Sequence, residues 1–579
     1  ITPMRIRHLK VANFRGIQSL NWTLGPRVIC LVGQNDATKS GILDAIELGL
    51  WPRGNYPVSD TDFFNADVTQ PISVEITVGE IPGELIAEDK FGLYLRGFST
   101  AGGLVDDPGE GLDSVVTIRC EITAELEPSW SLIKQSQAEP KHVSWRDRER
   151  LGVARLGADV DRHLSWSRGS ALVRLTAGEN SLSQMLANVS RAARAAVTDA
   201  ELPDLDAAAV AAKSSAARMG AKFDDLGPGL DATGLSLGNS VFALHEDKIP
   251  LRLWGLGTKR LAALAIQQSG TGADSLLLID EVEHGLEPHR IRHLLKRLGD
   301  NPDGTPRTHG QVILTTHSPT TALTLPIAEL AFVRSLNGAT TAHTVAPEWV
   351  NDVQSIARVA PHSLFGRKLV ICEGATEVGI CRGLEPFWAE ANAGVPPAHL
   401  GFVPIDGGGR SVAPNRALAL KRVGFDVVVL ADSDEPLVPD APVLNAAGVA
   451  AFQWPGGLST EERLALDLPI ASLQELVAAA VALFGEELVV SQVVTFSEAD
   501  PKPAGAIVTA WIQGGMTEAL VRRAIGRAAK QGKTDSGKGW FKNVTLGEQL
   551  GGVVGRAAAG LVGTPIATIT GQLMAWTYA

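Results

Sequence analysis

The stretch Val28-Ile29-Cys30-Leu31-Val32-Gly33-Gln34-Asn35-Asp36-Ala37-Thr38-Lys39-Ser40 decides the fold class. Five apolar residues in a row, closed by glycine, mark a strand buried on both faces of an α/β domain. The apolar spacing from Ile42 to Leu50 then predicts a helix. Strand, loop and helix in that order are the setting of a phosphate loop, where backbone N–H groups and the helix N-terminus cradle phosphate oxygens. Gly33, Asn35, Asp36, Thr38, Lys39 and Ser40 are therefore the candidate nucleotide-binding residues. Lys39 would reach the β- and γ-phosphates and Ser40 would bind Mg²⁺. Thr38 stands where glycine is usual, and a β-branched residue strains a backbone with positive φ.

Two further strand ends extend this reading. Leu276-Leu277-Leu278-Ile279 runs into Asp280-Glu281. Asp280 can bind Mg²⁺ directly or through water, and Glu281 can polarise the attacking water. The next apolar run, Val312 to Leu314, leads to Thr315-Thr316-His317-Ser318-Pro319, where His317 can sense the γ-phosphate. Each alone has a plain structural reading, as solvated acids or a lone histidine. Three motifs in this order and strand context are much harder to obtain by chance.

The C-terminal part carries a different chemistry. Lys368 to Cys372 is a strand ending at Glu373-Gly374, with Glu377 four residues on, a spacing that puts both carboxylates on one side of a starting helix. Val427 to Ala431 ends at Asp432-Ser433-Asp434, and alternation points the two aspartates the same way. Four carboxylates at strand ends suit one or two hard cations, Mg²⁺ or Mn²⁺, because like charges so dense are costly without a cation. For either motif alone, a solvated acidic loop is the plain alternative.

Composition sets the bounds. The chain has 579 residues, 45% apolar and 20% charged, which predicts a globular protein of two to four domains. Its net charge of −12 excludes a uniformly basic protein but leaves room for a local basic track. One such track lies between Val521 and Lys542, with Arg522, Arg523, Arg527, Lys530, Lys533, Lys538 and Lys542 against Asp535. Cys30, Cys120, Cys372 and Cys381 sit among apolar residues and read as reduced core thiols. No uncharged stretch reaches the ~18 residues of a membrane helix, and no signal-peptide pattern is present. A cytoplasmic protein without membrane contact is expected. Residues 171–222, rich in Ala, Leu, Arg and Ser, predict a helical hairpin, either a structural lobe or a dimerisation arm.

The first set of motifs resembles the ABC-type ATPases of the SMC and RecF group. Phe14-Arg15-Gly16 fits their opening strand, and Gly255-Leu256-Gly257-Thr258-Lys259 sits where they carry a signature loop. In that group the loop of one subunit closes on ATP bound by another. The resemblance thus implies ATP, a homo-dimer or higher homo-oligomer, and Gly257 as a nucleotide contact. The second set looks like a Toprim domain, with Ile405-Asp406-Gly407-Gly408-Gly409 as its middle strand and turn. Together in one chain they resemble the OLD (overcoming lysogenization defect) family of endonucleases, related to the Gabija nuclease subunit. That likeness spans nearly the whole chain. It implies an α/β protein: an ABC ATPase in two parts (1–170 and 223–346) around a helical dimerisation insert (171–222), then a Toprim domain at 362–579. It further implies Ser459 and Glu461 as second-metal contacts, with Glu462 equally available, and Lys542, beside Trp540-Phe541, as a catalytic lysine, with Lys538 the alternative. The implied activity is ATP-regulated, metal-dependent DNA nicking in antiphage defence or DNA processing, with a helicase or other defence protein as a possible partner. The competing reading is a RecF- or SMC-like DNA-repair ATPase that acts as a non-cutting clamp or as an ATP sensor. A topoisomerase would need a presented tyrosine, and Tyr56, Tyr94 and Tyr578 lack a helix-turn-helix setting.

Overall fold

The computed structural model describes residues 4–34, 37–99, 103–157, 159–167, 170–175, 188–189, 191–192, 203–218, 242–271, 275–300, 310–497, 505–534 and 537–579. The chain divides into two units: Ile1–Val28 with Ser40–Thr316, and Ile29–Lys39 with His317–Ala579.

The first unit is built on mixed β-structure. Val153–Leu156, Leu276–Ile279 and Gln311–Thr315 run parallel, with Ile279 registered against both Leu156 and Leu314. All four residues of Leu276–Ile279 are buried, as a strand covered on both faces requires. Arg5–Phe14 pairs antiparallel with Ile17–Thr23 and with Ile72–Gly79, which in turn pairs with Asp113–Ile122. Their sequences alternate between apolar and polar residues at 72–78 and 117–122, as half-buried strands do. The phosphate-loop helix, Lys39–Gly49, lies directly on them: a Cβ on Gly49 would stand 2.5 Å from Ile76 Cδ1. Within 242–254, the short strands His245–Glu246 and Ile249–Pro250 pair antiparallel. Of the expected hairpin, Ala171–Leu175 and Pro203–Arg218 are helical. Residues 176–187, 193–202 and 219–241, which include much of the expected dimerisation arm, lie outside the described residues.

In the second unit, Leu330–Leu336 pairs parallel with Cys30–Val32 and antiparallel with Ala339–Thr344. Phe332 meets Phe425 edge-on, and the Arg334 guanidinium lies 4.0 Å from the Phe425 ring centre. The segment that follows this hairpin, residues 347–365, is largely helical.

A second sheet follows, of four parallel strands in the order Phe402–Asp406, Lys368–Cys372, Asp426–Ala431, Ala450–Gln453. In chain order that is 2-1-3-4, so the direction of winding reverses between the strand ending at Cys372 and the strand ending at Ala431. In open α/β sheets, ligands bind beyond the strand carboxyl ends at that switch point. Glu373 and Asp432 are the residues that immediately follow these two strands. Helices then bring distant sequence to the same place. Ala375–Ala391 packs backbone to backbone on Val544–Arg556, where a Cβ on Gly383 would stand 2.2 Å from the Glu548 carbonyl oxygen. Thr376 Oγ1 donates to the Phe541 carbonyl at 2.9 Å, which seats Lys542 beside the start of the first helix.

Candidate functional sites

In the second unit, the phosphate loop folds around its own lysine. Lys39 is buried, and its Nζ donates to the carbonyls of Gly33 at 2.9 Å and Gln34 at 2.5 Å. Thr38 has φ of +59°, the left-handed conformation that its β-branch resists. Its hydroxyl bonds the Ala37 carbonyl at 2.7 Å and Thr340 Oγ1 at 3.2 Å, contacts that offset part of that strain. Asn35 and Asp36 lie outside the described residues. His317, at the head of the helix Pro319–Thr324, is exposed.

In the first unit, Ser40 Oγ donates to Asp280 Oδ1 at 2.9 Å. Thr315 Oγ1 donates to the same oxygen at 2.7 Å and accepts from the Glu281 N–H at 2.8 Å. A serine hydroxyl beside a strand-end aspartate is the hard oxygen set that suits a nucleotide's Mg²⁺, so these residues fit that ion. Glu281 is half-exposed and has φ of +45°, another strained backbone at a position proposed for chemistry. Two arginines that no sequence signal singled out organise this corner. Arg155 pairs with Asp44 at 2.6 Å, Glu47 at 3.3 Å and Asp280 at 3.4 Å. Arg260, buried in the helix Leu256–Thr271, donates to the main-chain carbonyls of Asp280 and Glu281. Gly257 stands in the first turn of that helix, where a Cβ would fall 2.4 Å from the Gly285 carbonyl.

The acidic residues of the second unit gather at the switch point. The Asp432 N–H donates to Glu373 Oε2 at 3.3 Å, and the Glu373 N–H to the Leu430 carbonyl at 2.8 Å. Asp432 and Asp434 lie just past the strand end at Ala431, in the loop rather than on the strand, yet their carboxyl groups share a hydrogen bond. Burial, that bond and the Glu373 charge push the Asp432 carboxyl well above the usual range. Asp434 is held below it: burial opposes ionisation, but the bonds from Asp432 and Lys530 outweigh it.

Glu377 plays a part that spacing did not foresee. It is the third residue of its helix, and its Oε2 accepts from the Gly374 N–H at 3.1 Å as a capping group. Its Oε1 accepts from Thr460 Oγ1 at 2.6 Å. Burial, with added repulsion from Glu461 and Glu373, pushes its carboxyl up to about 7. Ser459 likewise caps a helix, Thr460–Asp467, by accepting from the Glu462 N–H, while Glu462 returns a carboxylate to the Ser459 N–H. Ser459 and Glu462 are thus a capping box. Glu461 is buried and faces Lys542 Nζ at 2.6 Å, an ion pair without hydrogen-bond alignment. Burial disfavours the Lys542 ammonium, but Glu461 outweighs it and raises its affinity for the proton. Trp540 and Phe541, which precede it, are buried and meet each other edge-on. Asp406 Oδ1 accepts from the Gly408 N–H at 2.9 Å in its own loop.

Whether this set fits a divalent cation turns on Asp432. Its Oδ1 is buried without a hydrogen-bond partner, an acceptor that hydrogen bonds leave unsatisfied and a cation would satisfy. All the donors are oxygens, as Mg²⁺ or Mn²⁺ prefer. Among the described residues, no group of three or more His, Cys, Asp or Glu already stands as a metal-holding cluster. Asp434 and Glu461 are instead held by Lys530, at 2.8 Å, and by Lys542.

The basic track proves heterogeneous. Arg522 donates to the carbonyls of Ala465, Leu466 and Leu468 and so closes the end of a neighbouring helix. Arg523, Arg527 and Lys533 are exposed. No helix among the described residues is long and apolar enough to cross a membrane.

Residues 187–323 match a family described as "AAA domain, putative AbiEii toxin, Type IV TA system". No curated protein sequence matches the chain. Among solved structures, the Smc head domain from Pyrococcus furiosus, bound to the C-terminal domain of ScpA, is 12% identical, with a TM-score of 0.35 over 61% of this chain and 100% of that one. The recombination mediator protein RecF is 13% identical, with a TM-score of 0.30 over 60% of this chain and 99% of that one. The SMC head domain from Thermotoga maritima is 15% identical, with a TM-score of 0.29 over 59% and 99%. The family match spans Asp280, Glu281 and His317 and gives residues 187–323 the likeness of an AAA-type ATPase domain.

Proposed function

We propose that this ATPase regulates a metal-dependent DNA endonuclease housed in its own C-terminal Toprim-like domain, of the OLD kind, acting in antiphage defence or DNA processing. The observation that carries the reading is the buried, unpartnered Oδ1 of Asp432, beside Glu373 and Asp434 at the switch point of a parallel sheet. Glu373, Asp432 and Asp434 would hold the cations, with Glu377 and Glu461 behind them and Ser459 fixing the helix that presents Glu461. Bound divalent ions would supply an activated water and charge neutralisation at the phosphodiester. Lys542 would stabilise negative charge that develops on the phosphate. In the ATPase, Lys39 and Ser40 would hold MgATP, Asp280 the ion, Glu281 the water, and His317 and Gly257 would report on the γ-phosphate, within and between subunits. Purified full-length protein with supercoiled plasmid, Mn²⁺ or Mg²⁺, and ATP present or absent tests this directly. Metal-dependent nicking that disappears in Glu373→Ala and Asp432→Ala supports it. Nicking that survives both changes overturns it.

A second reading is a non-cutting DNA-bound ATPase of RecF or SMC type. It is favoured by Lys530 and Lys542, which already neutralise Asp434 and Glu461 and reduce the need for a cation there. ATP-dependent DNA binding with no cleavage of any DNA form in either metal would select it.

A further inference from the structure

We propose that Lys530 is a built-in counter-cation of the acidic site, and that its release from Asp434 controls entry of a second divalent ion. This rests on the nuclease reading above. Lys530 lies in the last turn of the helix Glu518–Gln531. Its Nζ stands 2.8 Å from Asp434 Oδ2 and 3.2 Å from Glu462 Oε2. Asp434 belongs to the loop after the third strand, whereas Glu462 belongs to the first turn of the helix that carries Glu461. One ammonium therefore ties together the two chain segments from which the ligands come. The helix cannot slide to move it: a Cβ on Gly526 would stand 2.9 Å from the Glu462 Cα, so the two helices already touch through their backbones. Only the flexible lysine side chain can leave.

The two acidic oxygens differ in what a cation must do to reach them. Asp432 Oδ1 has no partner to lose. Asp434 Oδ2 has Lys530, and a carboxylate oxygen neutralised at that distance attracts a further cation weakly. An ion that uses Glu373 and Asp432 displaces no lysine, whereas an ion that uses Asp434 displaces Lys530. Arg523 and Arg527 precede Lys530 by seven and three residues on the same helix, so all three share one face, and both arginines are exposed. Phosphates laid along that row offer the ammonium a competing partner. DNA thus draws Lys530 off Asp434 and opens the second cation position when substrate is present. Lys530 is in this role a positioning residue that acts through Asp434.

Mn²⁺ binding to the full chain, followed by electron paramagnetic resonance, tests this without any turnover. The probe is a duplex oligonucleotide with phosphorothioate linkages. In wild type, the duplex is expected to tighten the weaker Mn²⁺ site about ten-fold, the effect of relieving one competing ion pair. Lys530→Met should bind both ions with that tighter affinity before DNA is added and should no longer respond to the duplex. Lys530→Arg, which keeps the charge, should behave as wild type. Arg556→Met, which removes a positive charge that pairs with Glu475 instead, should leave Mn²⁺ affinity unchanged. Circular dichroism melts check that each variant folds. Wild-type Mn²⁺ affinities and an unaltered response to DNA in Lys530→Met overturn the inference alone. Mn²⁺ binding that persists in the Glu373→Ala, Asp432→Ala double variant instead removes the nuclease reading, and this inference falls with it.

Discussion

The Asp432 N–H reaches Glu373 Oε2 at 3.3 Å across the point where the second sheet reverses its winding. A main-chain donor on one strand end therefore orients a carboxylate on the neighbouring end. The side chain of Asp432 itself is left facing Glu373 and Asp434 with one oxygen unsatisfied. Such an arrangement is poor for stability and suited to a cation, and the two consequences can be separated.

Asp432→Asn keeps the shape and removes the buried acid. The fold no longer has to hold a proton there or tolerate charge next to Glu373. We expect the metal-free variant to be more stable than wild type by about 1 kcal/mol, as is common when a functional site is relaxed. Its Mn²⁺-dependent nicking should be lost. Chemical denaturation in chelator, beside plasmid nicking in Mn²⁺, checks both. A variant less stable than wild type would show that Asp432 serves the fold instead.

The nucleotide residues make a different pair of predictions. Lys39→Ala removes the ammonium that lies along the Gly33 and Gln34 carbonyls, and ATP binding should weaken by at least about ten-fold. Glu281→Gln should bind ATP normally and hydrolyse it about a hundred-fold more slowly, since the amide keeps the shape without the base. Fluorescent nucleotide titration and phosphate release measure the two. Normal hydrolysis by Glu281→Gln would assign the water to another group.

Glu329 gives a pH test outside either site. Burial raises its carboxyl from 4.5 to about 6. The folded state therefore holds this proton more tightly than the unfolded chain does. Its contribution is fully present below pH 4.5 and is lost as pH rises to about 6. Glu329→Gln removes that dependence. The difference in urea midpoint between variant and wild type should grow in the variant's favour from pH 4.5 to pH 7. An equal difference at both pH values would mean that Glu329 does not titrate in this window.

Much of this was legible in the sequence because it depends on local pattern. The apolar runs at Val28, Leu276, Val312, Lys368 and Val427 are strands, and Asp280, Glu373 and Asp432 stand at the carboxyl ends of three of them. Thr38 carries the positive φ that its replacement of glycine implied. Roles that depend on a partner far away in sequence were not legible. Arg155 meets Asp280 because the two strands are neighbours, and Lys530 meets Glu462 because Gly526 lets two helices touch. Ser459-Thr460-Glu461-Glu462 was legible in another sense, since serine followed three residues later by glutamate is the capping-box pattern. That local signal accounts for the Ser459 hydroxyl more directly than a metal does.

The basic segment yields the sharpest separation of roles, because neighbours in sequence do different work. Arg522 donates to three carbonyls at the end of the helix Thr460–Asp467, so its guanidinium is committed to the fold. Arg523 and Arg527 are exposed on the face that leads to Lys530. If that face follows a DNA backbone, each arginine releases counterions on binding. The slope of log affinity against log salt should then fall by about 0.9 for each one replaced. The double variant Arg523→Gln, Arg527→Gln should therefore bind duplex DNA with a slope smaller by about 2, at unchanged thermal stability. Arg522→Gln should do the reverse. It leaves carbonyls without their donor, which costs about 1–3 kcal/mol of stability, and it should not alter the salt slope. Fluorescence anisotropy from 50 to 200 mM salt, beside thermal melts, reads both quantities for each variant, at salt levels where such slopes are resolved. An unchanged slope in the double variant would move the DNA path off this helix, whatever the acidic site does.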